Sequence, residues 1–196
     1  MKKLSLIIAT VLFSFGVVSA QDTGTDNHQV TVGVEEHALV DIESGGNLNF
    51  SLSPAAPTEA GEGLSFDNAE ATNSDLWLNY SSIVGSNGAK NKINVKIDQD
   101  LPTGLKLQLT VSDPTGGEGE TGSSMAATGS EKTLSTTDEQ IVHNIGSGYT
   151  GNGSGSGCQL TYSLISDGSA NYENIVADSK DITVTYTITS QTGGGD

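Results

Sequence analysis

From Val30 onward, apolar residues recur at every second position along most of the chain. Val30, Val32 and Val34 alternate with Thr31 and Gly33, and Ala38, Val40 and Ile42 continue the pattern. The same period runs through Leu48, Phe50 and Leu52, through Leu76, Leu78 and Tyr80, and through Ile93, Val95 and Ile97. It returns in Leu105, Leu107, Leu109 and Val111, in Leu160, Tyr162 and Leu164, and in Ile182, Val184, Tyr186 and Ile188, with a weaker set at Ile141, His143 and Ile145. Successive side chains of a strand point to opposite faces, so this spacing predicts strands with one buried and one wet face. Helical spacing is absent beyond residue 20, apart from one candidate turn at Tyr172–Ala177.

Turn chemistry falls between these runs. Asn87-Gly88 follows the Leu76 strand and reads as a hairpin turn, and Leu101-Pro102-Thr103-Gly104 precedes the Leu105 strand. Proline presets the backbone at the second turn position and glycine tolerates positive φ. Asp113-Pro114 and Asp167-Gly168 end two further strands. Three loop segments stand out: Ser53 to Ala60, Asp113 to Gly129, and the glycine-rich stretch Gly146 to Gly157. About eight to ten short strands with polar outer faces predict an all-β fold, a single antiparallel β-sandwich of immunoglobulin-like or Greek-key type, with a closed barrel as the alternative. Trp77 lies in an all-apolar Leu-Trp-Leu triplet and is expected in the core; Tyr149, in the glycine-rich stretch, is expected to be exposed. The Val30 to Val34 strand is expected inside the sandwich. A polymer in which one copy lends that strand to the next would need Val30 to Ile42 to leave home, and the six alternating apolar residues there argue against it.

The N-terminus has a different pattern. Lys2 and Lys3 precede an apolar run from Leu4 to Val18, closed by Val18-Ser19-Ala20. A short positive region, an apolar core and small residues at −3 and −1 describe a secretory signal peptide. The run is shorter than the ~20 residues that span a bilayer, so a retained anchor is the weaker reading. The expected organisation is a signal peptide at 1–20, a flexible segment at 21–29, the sandwich at 30–190 and a flexible tail at 191–196. This pattern predicts export through the Sec pathway, to the cell surface, the exterior or the periplasm, with no membrane insertion after cleavage.

Charge narrows the partners. The chain carries 8 lysines and no arginine against 24 acidic residues, a net charge of −16; losing the first 20 residues removes two lysines and takes the balance to −18. Binding nucleic acid requires clustered positive charge, so that class is excluded, and an anionic membrane surface would repel the chain. Cys158 is the only cysteine, so no disulfide can form within the chain. It opens an apolar-alternating run, which predicts a buried thiol rather than an intermolecular disulfide.

Candidate chemistry is sparse. His28, His37 and His143 are the only histidines, with no metal-ligand spacing, and His143 alternates with Ile141 and Ile145 as a core residue would. Gly117, Gly119 and Gly122 match a phosphate-loop spacing, but Glu118 and Glu120 beside them would repel a phosphate, so the match is read as chance. Calcium is the one cofactor with candidate ligands: Asp98, Asp100, Asp138, Glu139, Asp178 and Asp181, all beside turns or strand starts. A calcium ion takes about six to eight oxygens from several loops, so solvated turn residues are the simpler reading. No catalytic site or cofactor-binding residue is assigned.

The segments Ala38-Leu39-Val40-Asp41-Ile42-Glu43, Leu76-Trp77-Leu78-Asn79-Tyr80-Ser81-Ser82, Gly148-Tyr149-Thr150-Gly151, Leu160-Thr161-Tyr162-Ser163 and Val184-Thr185-Tyr186-Thr187-Ile188 together resemble small exported β-sandwich proteins of the Bacteroidota, a group without assigned function. The threonine-rich closing strand more loosely resembles bacterial fimbrial and spore-coat-U-like subunits, although this chain lacks the cysteine pair often found near their start. Export, an all-β build, a surface rich in Thr, Ser, Gly and Asn, and the lack of catalytic motifs lead to one expectation. It is an exported, non-catalytic structural or adhesive protein of the cell surface or secreted matrix, including a filament subunit. Its partners would be itself or other surface proteins. The alternative is a ligand-binding module for glycans or calcium.

Overall fold

A computed structural model describes residues 27–44, 46–52, 58–63, 70–125, 130–166 and 179–191. Residues 1–20, expected to be a signal peptide, the candidate turn at Tyr172–Ala177, Asp178 and residues 192–196 lie outside these. The chain divides into two units after Gly33. Of the first unit, residues 27–33 are described; they belong to no strand, and Val30 and Val32 are exposed.

The second unit is an antiparallel β-sandwich, and its described residues contain no helix. Eleven strands are described: β1 (His37–Glu43), β2 (Glu70–Ile83), β3 (Lys90–Ile97), β4 (Leu105–Val111), β5 (Glu118–Gly119), β6 (Ser123–Ser124), β7 (Lys132–Thr133), β8 (Glu139–Ile145), β9 (Gly148–Tyr149), β10 (Cys158–Ser166) and β11 (Val184–Gln191). One sheet holds β1, β2, β4, β5, β7, β9 and β10; the other runs β11-β3-β8-β6.

Register fixes the edges of the larger sheet. Ser81 pairs with both Leu39 of β1 and Tyr149 of β9, and Trp77 pairs with both Glu43 of β1 and Gln159 of β10. A strand has only two sides. Hence β9 and β10 share one side of β2, and among the described residues β1 alone forms the sheet edge on the other.

The alternating apolar sets meet between the sheets. Leu76, Leu78 and Tyr80 of β2, Leu107, Leu109 and Val111 of β4, and Leu160, Tyr162 and Leu164 of β10 face Ile93, Val95 and Ile97 of β3 and Ile141, Val142 and Ile145 of β8. Fully burying one such side chain is worth about 1.5–3 kcal/mol. Cys158 belongs to this core, free and fully buried, as its place in the pattern predicts. Its Sγ lies 3.9 Å from the Tyr80 hydroxyl, which donates to the Thr121 carbonyl at 2.6 Å.

Five expectations need correction. Val30 to Val34 forms no strand, and its valines are exposed, although Ala38 to Ile42 is paired in β1 as expected. Leu48, Phe50 and Leu52 pack against the core without forming a strand; the Phe50 ring lies 6.4 Å from that of Tyr162. Trp77 is half-buried on the outer face of β2, because Leu76 and Leu78 take the inward positions. His143 does not join the core: the β3–β8 pairing shifts register between Asn91 and Asn94, so Ile141 and Val142 are both buried and the ring is displaced. Asn144 follows with a φ of 57°. Finally, Asn87-Gly88 turns the chain as expected, but β2 and β3 enter opposite sheets, so the turn crosses the sandwich edge rather than closing a hairpin.

Candidate functional site

The two sides of the sandwich differ. On one side the sheets are stitched together: the Ser124 hydroxyl of β6 donates to the Val111 carbonyl at 2.6 Å, and the Ser124 amide donates to the Asp113 carboxylate at 2.8 Å. Here the edge strands β5, β6 and β7 are two residues each. Short edges offer little template for a further strand.

On the other side the edges are long. β1 ends one sheet and β11 ends the other, and among the described residues no strand pairing joins them. Between them lies an open cleft of ≈ 310 Å³ lined by Val40, Asp41 and Ile42 of β1 and by Val184, Thr185 and Tyr186 of β11. Val184, Tyr186 and Ile188 turn inward and remain partly exposed, as do Val40 and Ile42 opposite them. The Tyr186 hydroxyl shares a short hydrogen bond with that of Tyr162, and burial raises the pKa of both phenols, that of Tyr162 to about 12.

The edge strand β11 reads Val-Thr-Tyr-Thr-Ile-Thr-Ser-Gln, eight residues without a charge or a proline. Edge strands are usually guarded by one or the other, since each free edge carries unpaired N–H and C=O groups. Which groups are free follows from the register. Asp98 N–H donates to the Thr183 carbonyl at 3.0 Å, and Thr183 N–H donates to the Asp98 carboxylate at 2.9 Å. Thr183 therefore faces β3, and by alternation the peptide groups of Val184, Tyr186 and Ile188 face away from it.

A second feature occupies the outer face of β1, β2 and β9. Leu39, Ser81 and Tyr149 lie in one row across the three strands, and Tyr149 is 48% exposed, as expected. With Asp41, Asn79, Gly151 and Asn152 they line a shallow depression of ≈ 460 Å³. β9 is seated by Thr150, which is fully buried: its hydroxyl accepts from Tyr80 N–H at 3.0 Å, and its own N–H donates to the Tyr80 carbonyl at 3.0 Å. The glycines at 117 and 119 explain how β5 comes so close. A Cβ on Gly117 would lie 1.7 Å from the Tyr149 carbonyl oxygen, and one on Gly119 2.4 Å from that of Ser147. The phosphate-loop spacing is thus a backbone-contact device, a role that sequence spacing alone did not reveal.

The calcium candidates fall into two places. Asp98, Asp100 and Asp181 lie in the segments where β3 ends and β11 begins. There the Asp98 carboxylate caps Thr183, the Asp181 carbonyl accepts from Gln99 Nε2 at 2.6 Å, and the Asp100 carbonyl accepts a short bond from Lys180. Asp138 and Glu139 lie at the start of β8, with Asp138 Oδ1 3.7 Å from Lys96 Nζ. Asp178 is outside the described residues. Among the described residues, no three His, Cys, Asp or Glu side chains converge on one point.

The β11 edge was legible in the sequence as a strand but not as an edge. The missing signal was compositional: eight strand residues without a charge, in a chain with 24 acids. No protein-family model, curated protein or solved structure matches the chain.

Proposed function

We propose that this is an exported, non-catalytic structural or adhesive protein of the cell surface or secreted matrix, which works by strand pairing along the β11 edge. The observation that carries this reading is the contrast between the two sides of the sandwich. One side ends in two-residue strands; the other offers an eight-residue, uncharged edge beside an open cleft lined by Val40, Ile42, Val184 and Tyr186 together with Asp41 and Thr185. Peptide groups along such an edge gain affinity from main-chain hydrogen bonds, while side-chain pockets give selectivity. The alternating Thr185, Thr187 and Thr189 keep the outer face wet while Val184, Tyr186 and Ile188 supply apolar contact. Export is supported by the Lys2-Lys3 start, the apolar run and Val18-Ser19-Ala20, and mass spectrometry of the exported protein is expected to find Gln21 first. Sedimentation velocity of that protein tests association: a mass above the monomer that rises with concentration supports it, and a monomer at every concentration and salt level contradicts it.

A second reading has its own observation. Trp77 and Tyr149 both lie on the outer face of the larger sheet, and Asp41, Ser81 and Asn152 supply polar groups beside Tyr149. An aromatic ring flanked by carboxylate, hydroxyl and amide groups suits a neutral glycan. Calorimetry with soluble polysaccharides, comparing wild type with Tyr149→Ala, tests it; heat that survives the substitution contradicts a site at Tyr149.

A further inference from the structure

We propose that Asn152 is a site of spontaneous covalent modification, where the chain converts its own side-chain amide to a carboxylate beside Tyr149. The site lies in the depression lined by Leu39, Asp41, Ser81 and Tyr149, and it does not depend on pairing at β11.

Two asparagines in the chain precede glycine, Asn87 and Asn152. That dipeptide supports one reaction without a catalyst. The glycine backbone nitrogen, having lost its proton to hydroxide, attacks the asparagine Cγ. A C–N bond forms, the Cγ–Nδ2 bond breaks, ammonia leaves and a five-membered succinimide results. Water then opens the ring at either carbonyl, giving aspartate or isoaspartate, with no change of oxidation state. Glycine favours the step because it has no Cβ to obstruct the attack and its backbone rotates freely.

The structure separates the two asparagines. At Asn87 both reacting groups are engaged. Its Oδ1 accepts from Ala89 N–H at 3.0 Å, and Gly88 N–H donates to the Gly85 carbonyl at 3.2 Å. The turn must open before one can reach the other. At Asn152, which is exposed, neither group is held: among the described residues its side chain and the Gly153 N–H make no hydrogen bond. The anchors of this loop lie one peptide further on. The Gly153 carbonyl accepts from Asn79 Nδ2 at 3.1 Å and from Ser156 N–H at 3.3 Å. These bonds fix the peptide after Gly153 and leave the peptide before it free to rotate. Gly151 and Gly153 flank Asn152 with φ of 90° and 91°, and a Cβ on Gly153 would meet nothing within 4 Å, so there is room for the ring. Opening two hydrogen bonds of ordinary strength slows Asn87 on the order of tenfold relative to Asn152.

The product changes the face that carries Tyr149. A second carboxylate joins Asp41 in the depression. In the isoaspartate form the main chain also gains a methylene just before the carbonyl that holds the buried Asn79.

Peptide mapping by mass spectrometry, on the exported protein aged at pH 8 both folded and in urea, tests the proposal. In the folded protein, Asn152 should lose ammonia on the order of tenfold faster than Asn87, and in urea the two rates should converge. Folded protein in which Asn87 keeps pace with Asn152, or in which Asn152 reacts only after urea is added, would overturn it. Gly153→Ala, compared in urea so that its effect on the fold is removed, should slow conversion at Asn152 severalfold and leave Asn87 unchanged. An unaltered rate at Asn152 in that variant would rule out attack by the Gly153 nitrogen.

Discussion

Replacing Thr150 with valine removes the hydroxyl that seats β9, which accepts from Tyr80 N–H and also lies 3.3 Å from the Tyr80 carbonyl, to which it donates. The side chain is fully buried, and its hydroxyl is the acceptor for Tyr80 N–H at 3.0 Å. Valine keeps the shape and removes the acceptor, leaving a buried amide unpaired. An unsatisfied buried donor costs about 1–3 kcal/mol. Serine keeps the hydroxyl and loses a methyl group, worth roughly 0.8 kcal/mol of burial plus a small cavity term. The serine variant should therefore be the more stable of the two. In a domain of this size 1 kcal/mol moves the melting temperature by about 2–4 °C, so valine should lower it by roughly 2–12 °C. Trp77 is the only tryptophan and sits on β2 itself, three residues from Tyr80, so its fluorescence reports urea unfolding directly. A valine variant as stable as wild type, or a serine variant less stable than valine, would refute the reasoning.

Burial, opposed by the Tyr80 hydrogen bond and reinforced by Asp113, pushes the Cys158 thiol up to about 12, so it should resist native labelling at pH 8 and react fully in urea; rapid native labelling would place it elsewhere. Burial also raises the phenols of Tyr80, Tyr162 and Tyr186, that of Tyr162 to about 12. Raised acid groups hold their protons in the folded state and lose them first in the unfolded one, so their stability contribution is whole below about pH 9 and lost as pH climbs toward 12. A urea midpoint that stays flat over that range would contradict the burial. Gly157 has a φ of 77°, and a Cβ there would lie 2.2 Å from the Leu78 carbonyl oxygen, whereas Gly153 has a φ of 91° and open space. Gly153→Ala should cost about 1–2 kcal/mol for the left-handed backbone alone and Gly157→Ala clearly more, as read by denaturation midpoints; equal losses would show that the close approach carries no weight.

Much of the fold was legible because the core strands are two-faced. Ile93, Val95 and Ile97 of β3 and Leu107, Leu109 and Val111 of β4 alternate in sequence and are buried in alternation. Period-two patterning reports which face is apolar, however, and not whether another layer covers it. Val30, Val32 and Val34 carry as regular a pattern as β3 and have no sheet. Leu48, Phe50 and Leu52 reach the core from unpaired backbone. At β8 the register shift buries neighbouring Ile141 and Val142 together, which no strict alternation anticipates. Trp77 was misplaced because an all-apolar triplet does not say which of its faces is inside. The candidate site was less legible still. That β11 is an edge depends on sheet order, a long-range property, and that its neighbour across the cleft is β1 depends on both sheets at once.

Hydrogen exchange at the β11 edge tests partner pairing most directly. The amides of Val184, Tyr186 and Ile188 point away from β3, while those of Thr185, Thr187 and Thr189 point toward it. In dilute protein the first three should exchange quickly and the second three slowly, giving an alternating pattern. As concentration rises at moderate salt, Val184, Tyr186 and Ile188 should become protected as well, erasing the alternation. Fast, concentration-independent exchange at those three amides would contradict the claim that this edge accepts a strand.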